Sequence, residues 1–209
     1  NIQGSLSFVD IENLVIPCLV RGTLVKVLGG YVPVEDIKSD DLIWTVDKGF
    51  QPVRWAGSRK CEGVGEFAPI RIAAGTFDNE RDLWVSPQHR ILVNSPEIKL
   101  YFGEGEVLVP AKFLVNGTTI TEEELPQVEY YHLLFDEHEV VDAEGAMVES
   151  FYPGQMGIGA FQDDAREELL ELFPELVDED GTATYGDMAR PVLTEREMML
   201  VNLSNLTPS

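Results

Sequence analysis

The chain has 209 residues, and 44% of them are hydrophobic, which is enough for one domain with a substantial core and an appendage. Its 37 acidic and 15 basic side chains give a formal net charge of -22. This balance argues against nucleic acid and against an anionic membrane surface as partners.

Several further classes are disfavoured by the pattern of residues. No apolar run is long enough to span a membrane, and the N-terminus has no signal-peptide pattern. The chain begins at Asn1 rather than at Met, so we expect it to be a piece of a longer protein. The two cysteines, Cys18 and Cys61, do not make a disulfide framework, and no motif predicts a cofactor or a metal site.

Residues 1–17 are predicted to be a leader, in which the alternation from Ser5 to Val9 indicates an added strand. Residues 18–150 are predicted to be an all-β domain, because short strand-like runs alternate with Gly, Pro and Asp turns. The predicted strands are Thr23–Leu28, Val32–Ile37, Leu42–Val46, Pro52–Trp55, Ile70–Ala73, Leu83–Val85, Arg90–Val93, Val107–Val109, Gln127–Phe135, His138–Asp142 and Ala146–Ser150, with a brief helix over Ala111–Val115.

Residues 151–209 are predicted to form an acidic loop and a helical extension that packs on the β domain. One helix is expected over Asp163–Phe173, and a capping box at Thr194 and Glu197 predicts a second helix to about Leu203. The run Glu179–Gly181 is compatible with calcium binding, but the EF-hand spacing is absent and a solvated acidic turn is the alternative.

Cys18 is the first candidate for chemistry, in the apolar stretch Ile16–Val25. A free cysteine is commonly a buried structural residue. A thiol can also attack the carbonyl of the preceding residue, here Pro17, through a five-membered ring, with the advantage of fixed geometry. Such a nucleophile needs a base or a positive charge close by.

The three histidines of the chain are the candidate acids and bases, because their pKa lies near neutrality. His89 stands in the run Ser86-Pro87-Gln88-His89, where a hydroxyl precedes an imidazole. His132 and His138 flank Asp136, which is a candidate for orienting one of them. Each histidine could instead be structural, and Asp136 could be a turn residue.

Cys18 with Gly22-Thr23, the run Ser86–Val93, and the run Tyr131–Glu149 together resemble a Hint (Hedgehog/intein) domain, in particular the bacterial Hint-type group. The resemblance covers about residues 18–150. It implies a pseudo-twofold β-horseshoe with a short helical appendage, and it implies self-processing. Ser86 stands where many relatives have Thr, and it keeps the hydroxyl donor and acceptor.

The resemblance also implies roles. Cys18 would attack the Pro17 carbonyl, Ser86 and His89 would polarise that amide, and His89 would protonate the leaving nitrogen. His138, with His132 and Asp136, would aid proton transfer. His138 matches the late histidine of Hint domains, and His132 falls where inteins often carry an Asp or Cys that assists the first step. Glu149 and Ser150 replace the terminal His-Asn of inteins, so protein splicing is not expected.

The predicted function is therefore autoproteolysis of the Pro17–Cys18 bond, an N-to-S acyl shift followed by transfer of the acyl group to water or another nucleophile. The substrate is the chain's own N-terminal flanking segment. One alternative is a catalytically silent Hint-like interaction module of a larger, secreted or cell-surface protein. Another is a cysteine hydrolase acting on an outside substrate, which the leader before Cys18 would obstruct. Cys61 is predicted to lie in a solvated loop, and Trp44, Trp55 and Trp84 are predicted to fill the core.

Overall fold

The structure is a computed structural model that describes residues 17–153 and 185–208. The chain divides into two compact units. The larger unit contains the described residues 17–151 and 187–208, and the smaller is described only at residues 152, 153, 185 and 186. In the smaller unit the Tyr152 hydroxyl donates to the Gly186 carbonyl at 2.9 Å, and its ring packs edge-on against Tyr185.

The larger unit is built from short antiparallel strands, and several of the turns between them contain a glycine with positive φ. In chain order the strands are β1 (Leu19–Val20), β2 (Leu24–Val27), β3 (Gly30–Pro33), β4 (Leu42–Thr45), β5 (Gly49–Pro52), β6 (Trp55–Gly63), β7 (Ile70–Ile72), β8 (Leu83–Val85), β9 (Arg90–Asn94), β10 (Glu106–Pro110), β11 (Ile120–Glu122), β12 (Leu125–Leu134), β13 (Val140–Ala143), β14 (Ala146–Glu149) and β15 (Thr207–Pro208). The helices are α1 (Pro96–Phe102), α2 (Ala111–Leu114) and α3 (Glu195–Met198).

The strands form two sheets. The first sheet has six strands in the order β11-β7-β8-β1-β12-β6, and the second runs β10-β9-β14-β13-β2-β4-β5, with β15 on β9 and β3 on β2. The hydrophobic core draws on both sheets, with Leu19 and Val85 from the first and Val25 and Val148 from the second. Because neighbours in each sheet come from distant parts of the chain, the register brings together residues that the sequence separates.

The C-terminal described segment belongs to the same unit as the β body. Strand β15 pairs with β9, and Val192 forms a parallel bridge with Leu108. Arg190 makes ion pairs with Asp47 at 2.7 Å and with Glu106 at 2.9 Å. This segment is therefore fastened to the second sheet along its length.

The expected all-β fold with a short helical appendage is confirmed. The predicted runs agree closely with β4, β8, β9, β12 and β14, and the turn glycines Gly22, Gly29 and Gly30 have positive φ. The capping box is present, because Thr194 and Glu197 exchange side-chain to backbone bonds. The helix that it opens ends at Met198 rather than near Leu203, and a 3₁₀ turn follows at Leu203–Asn205.

Four local predictions were wrong. The run Pro52–Trp55 is not one strand, because β5 ends at Pro52 and β6 begins at Trp55. The run Val32–Ile37 is split, because β3 ends at Pro33 and a 3₁₀ turn covers Val34–Asp36. Cys61 lies half-buried in β6 rather than in a loop, because the ten-residue β12 needs a long partner strand. The three tryptophans are half-buried and do not fill the core. Helix α1, opened by the Ser95 N-cap, and strand β11 were not predicted.

Some predictions concern residues outside those described. They are the leader strand Ser5–Val9, the Gly-rich loop 155–160, the helix Asp163–Phe173 and the acidic turn Glu179–Gly181. The predicted domain boundaries at residues 17 and 150 stay predictions. Within the described residues, no helix combines the length and the apolar character needed to cross a membrane.

Candidate active site

The register of the first sheet sets the position of Cys18. Leu19 of β1 lies opposite Tyr131 of β12 on one side and opposite Val85 of β8 on the other. Cys18, one residue earlier, therefore lies between His132 and Ser86, and the Ser86 N–H donates to the Cys18 carbonyl at 3.0 Å. The sheet thus brings together residues separated by 114 and 68 positions in the chain.

Both ends of the Pro17–Cys18 peptide bond are held by side chains from the flanking strands. The Cys18 N–H donates to Ser86 Oγ at 3.0 Å. The Pro17 carbonyl oxygen lies 3.0 Å from His132 Nδ1, and the Cys18 Sγ lies 3.5 Å from His132 Nε2. One imidazole therefore contacts both the carbonyl that would be attacked and the thiol that would attack it.

The carbonyl determines the tautomer of His132. A carbonyl oxygen can only accept a hydrogen bond, so Nδ1 must carry the proton that it donates. In the neutral ring Nε2 then has a lone pair, which faces the thiol and can accept its proton. This arrangement combines a base for the nucleophile with a donor to the carbonyl oxygen.

Burial keeps both reacting groups neutral at rest. Cys18 is 5% exposed and His132 is 8% exposed. Burial raises the pKa of the Cys18 thiol well above its ordinary value, and the Ser86 contact offsets only part of this. Burial lowers the pKa of His132 to about 4, although its bond to Pro17 acts in the opposite direction. A thiolate is therefore formed only if the proton moves to His132 as the sulfur attacks.

His89 lies at the end of the tight turn that begins at Ser86, where its N–H donates to the Ser86 carbonyl at 3.0 Å. It is buried, and neither ring nitrogen has a hydrogen-bond partner among residues 17–153 and 185–208. Burial lowers its pKa to about 4, and the Glu149 carboxylate opposes this in part. The charge of His132 also lowers this pKa, so the two imidazoles are within electrostatic reach. His89 is thus a neutral imidazole whose nitrogens can still take part in proton transfer.

His138 belongs to a different cluster. Its Nδ1 accepts the Ala189 N–H at 3.1 Å, and its Nε2 lies 3.4 Å from Glu149 Oε2. Because Nδ1 is the acceptor, the neutral ring carries its proton on Nε2, facing the carboxylate. Glu149 also accepts from the Arg90 guanidinium and from the Arg90 N–H, each at 2.8 Å.

The charges of this cluster are balanced internally. Burial alone would raise the pKa of Glu149, but the hydrogen bond from His138 and the charge of Arg90 bring it below its ordinary value. Glu149 is therefore an ionised carboxylate inside the protein, paired with Arg90. Both residues were missed as site residues by sequence reasoning, although Arg90 follows His89 directly and both side chains lie on otherwise apolar strands.

Asp136 is not brought to either neighbouring histidine by any described contact. Its side chain is 66% exposed and forms an ion pair with Arg54 at 2.5 Å.

Ser150 is buried, and its Oγ accepts the Glu139 N–H at 2.9 Å. Cys18 and Cys61 are both free thiols. Among the described residues, no group of three or more His, Cys, Asp or Glu side chains is arranged to hold a metal ion.

Comparison with known proteins gives a family match and several distant structural likenesses. A family model described as Hint domain matches residues 17–155, more than half of the chain. A splice-inactive variant of the AceL NrdHF class 3 split intein is 17% identical, with a TM-score of 0.47, and the match covers 65% of this chain and 98% of that one. The bacterial intein-like domain from Clostridium thermocellum is 15% identical, with a TM-score of 0.43 and coverage of 64% and 97%. The TvoVMA intein is 16% identical, with a TM-score of 0.48 and coverage of 64% and 96%. No curated protein matches the chain.

Proposed function

Because the chain belongs to the Hint domain family, we propose that it processes itself at the Pro17–Cys18 bond. Its fold is that of self-processing domains, and the finer mechanism is argued from the contacts around that bond. The Cys18 sulfur attacks the Pro17 carbonyl carbon, and the acyl group moves from nitrogen to sulfur. The immediate product is a thioester between Pro17 and the Cys18 side chain, with a free Cys18 amine.

His132 activates the nucleophile in this proposal. Its Nε2 faces the Cys18 thiol at 3.5 Å and takes the proton as the sulfur attacks. The raised thiol pKa makes such a base necessary, because a buried thiol does not ionise by itself near neutral pH. The same ring donates from Nδ1 to the Pro17 oxygen, where negative charge grows as the carbonyl becomes tetrahedral.

Ser86 and His89 serve the departing nitrogen. Ser86 Oγ accepts the Cys18 N–H at 3.0 Å, which fixes the plane of the scissile amide relative to the thiol. The proton lost by the sulfur is the one that the Cys18 nitrogen finally gains, and we assign His89 to pass it on. Two observations support this assignment: the ring nitrogens of His89 have no hydrogen-bond partner within the described part of the chain, and His89 ends the Ser86 turn.

The thioester is then cleaved by water or by an outside nucleophile, which releases the N-terminal flanking segment with its acyl end at Pro17. Splicing is not part of the proposal. Glu149 is held by Arg90 and His138, and the Ser150 hydroxyl is occupied by the Glu139 N–H. Neither side chain has an amide nitrogen that could cyclise onto the backbone. We assign His138 to the Glu149 cluster and Asp136 to the surface, outside the reaction.

The observation that carries the proposal is the double contact of His132 with the Pro17 oxygen and the Cys18 sulfur. The experiment is incubation of the purified chain with excess dithiothreitol or hydroxylamine, followed by intact mass measurement over time. We expect a fragment that begins at Cys18. Cys18→Ala should abolish it, whereas Cys61→Ala, a matched loss of the other thiol, should leave it at the wild-type rate. Cleavage that continues in Cys18→Ala would overturn the mechanism.

A silent Hint-like interaction module is the second candidate, and one observation favours it. The Cys18 thiol is almost fully buried and strongly biased toward its protonated form. A folded chain whose mass stays unchanged through prolonged incubation with either nucleophile would favour this candidate over self-processing.

A further inference from the structure

The ring of Trp55 lies over a glycine in the middle of β6. In the pairing of β6 with β12, Gly57 is opposite His132 and Trp55 is opposite Leu134. Opposed and alternate residues share a face, so Trp55, Gly57 and His132 lie on the same face of the first sheet. A Cβ built on Gly57 would lie 2.2 Å from Cζ2 of Trp55, which is far inside van der Waals contact. Any side chain at position 57 must therefore displace the indole.

The indole that occupies this space covers His132. The Trp55 and His132 ring centroids are 6.4 Å apart, with planes only 13° from parallel. Phe151 meets His132 edge-on at 5.5 Å, and its N–H is anchored on the Leu133 carbonyl at 2.8 Å. The imidazole is thus packed against two aromatic rings from different parts of the chain, and these two rings also contact each other, with centroids 6.4 Å apart.

This packing matters because the proposed reaction requires one particular orientation of the His132 ring. A half-turn of the imidazole about its Cβ–Cγ bond would remove Nδ1 from the Pro17 oxygen and Nε2 from the Cys18 sulfur. Hydrogen bonds hold the ring only weakly here, because the groups that they join to it change during the reaction. Aromatic packing adds a constraint that persists while the carbonyl becomes tetrahedral and the sulfur loses its proton.

We propose that Trp55, given its place by the absence of a side chain at Gly57, is a positioning residue that holds the His132 ring with one nitrogen on the Pro17 carbonyl and the other on the Cys18 thiol. The inference rests on the proposed function for its consequence in catalysis. Its structural part concerns only the ring of His132. In this role Trp55 acts through the imidazole that it packs against.

A double-mutant cycle separates this role from a general effect on the strand. We expect Gly57→Ala to slow cleavage on the order of 10²-fold, because it pushes the indole and tilts the imidazole out of line. Trp55→Ala should cause a similar loss, and Trp55→Phe should restore part of the rate because it keeps a ring over His132. In the Trp55→Ala background, Gly57→Ala should change the rate by no more than about two-fold, since no indole remains to be displaced.

The matched control is Gly105→Ala. Gly105 has no positive φ restriction, and an added Cβ there would have no atom within 4 Å. This variant should cleave and unfold like the wild type. If Gly57→Ala is equally harmful with and without Trp55, or if it leaves the rate unchanged, the positioning role is overturned.

A second readout does not require cleavage. The chain has only three histidines, so their ring nitrogens can be followed by ¹H–¹⁵N correlation spectra. His132 should show the Nδ1–H tautomer and His138 the Nε2–H tautomer, because each is fixed by a backbone partner. Gly57→Ala should abolish the Nδ1–H signal of His132 and leave that of His138 in place. If this occurs in a chain that never cleaves, the proposed function fails and the positioning of His132 stands. If both signals persist in Gly57→Ala, the inference fails whatever the cleavage rate.

Discussion

Substitution of His132 tests the two tasks assigned to its ring separately. His132→Asn places an amide near the position of Nδ1, so it can still donate to the Pro17 oxygen at about the observed 3.0 Å, but it has no base for the thiol. His132→Gln places an amide near the position of Nε2, beside the sulfur, and removes the donor to the carbonyl. His132→Ala removes both.

The expected magnitudes follow from the two contacts. Loss of a donor to a developing oxyanion costs roughly 10² to 10³ in rate, and loss of a general base costs roughly 10² to 10⁴. His132→Ala should therefore cleave at least about 10⁴-fold more slowly than the wild type. The cleavage rate of His132→Asn should exceed that of His132→Ala by roughly 10²- to 10³-fold, because His132→Asn loses only the base.

The pH dependence adds a qualitative difference. Without a base, the reaction requires the free thiolate, and burial holds the pKa of the Cys18 thiol well above its ordinary value of 9.0. The rate of His132→Asn should keep rising into alkaline solution, whereas the wild type should become independent of pH near neutrality. The assay is the rate of appearance of the fragment that begins at Cys18 under excess dithiothreitol, with near-ultraviolet circular dichroism as a check of folding. A folded Ala variant that cleaves within ten-fold of the wild type would refute the reasoning, and equal rates for Asn and Ala would refute the carbonyl donor.

Three further predictions concern the residues around this site. Ser86→Ala removes the acceptor of the scissile N–H and should slow cleavage roughly ten-fold, the equivalent of about 1.4 kcal/mol, while Ser86→Thr should restore the rate in the same assay. Glu149→Ala leaves Arg90 as an uncompensated buried charge and should reduce the free energy of unfolding in urea by about 3–5 kcal/mol; a loss under 1 kcal/mol would contradict an ionised buried pair. His89 and His132 titrate in the folded chain at about 4 instead of 6.5, so the unfolded chain binds more protons between these values and stability falls as the pH falls from 6.5 to 4. Each histidine contributes up to about 3 kcal/mol to this loss in the free energy of unfolding. Urea midpoints that do not change between pH 6.5 and 4 would contradict the prediction.

The fold class was accessible from sequence because it is encoded locally. Alternating apolar residues and turn glycines recur at short intervals, and each short strand needs only its own pattern to be detected. Strand β6 was not predicted, because Arg59, Lys60 and Cys61 interrupt any apolar alternation. Its strand character comes from pairing with β12. Its identity as a strand is therefore set by a tertiary partner rather than by its own residues.

The site was only partly accessible for a related reason. Cys18 and Ser86 were identified from short motifs, and the structure places them in contact. Sequence analysis could assign His132 only by resemblance, since nothing in its immediate surroundings distinguishes it from a structural histidine. Its contact with Cys18 spans 114 positions and depends on the register of β1 against β12. Trp55 was predicted to be a core residue because it lies in a strand-like run. The sequence does not show that Gly57 provides the space beside its ring.

The way His132 is oriented also bears on why such a site would act once. Its tautomer is set by the Pro17 carbonyl, which is part of the bond that the proposed reaction consumes. A multiple-turnover enzyme normally orients its histidine with a permanent carboxylate or backbone group, as the Ala189 N–H and Glu149 do for His138. Once the acyl group leaves with the flanking segment, Nδ1 of His132 loses its acceptor, and the Pro17 carbonyl no longer fixes which ring nitrogen carries the proton. On this reasoning the substrate selects the tautomer of His132 that activates the thiol, and its release ends that selection.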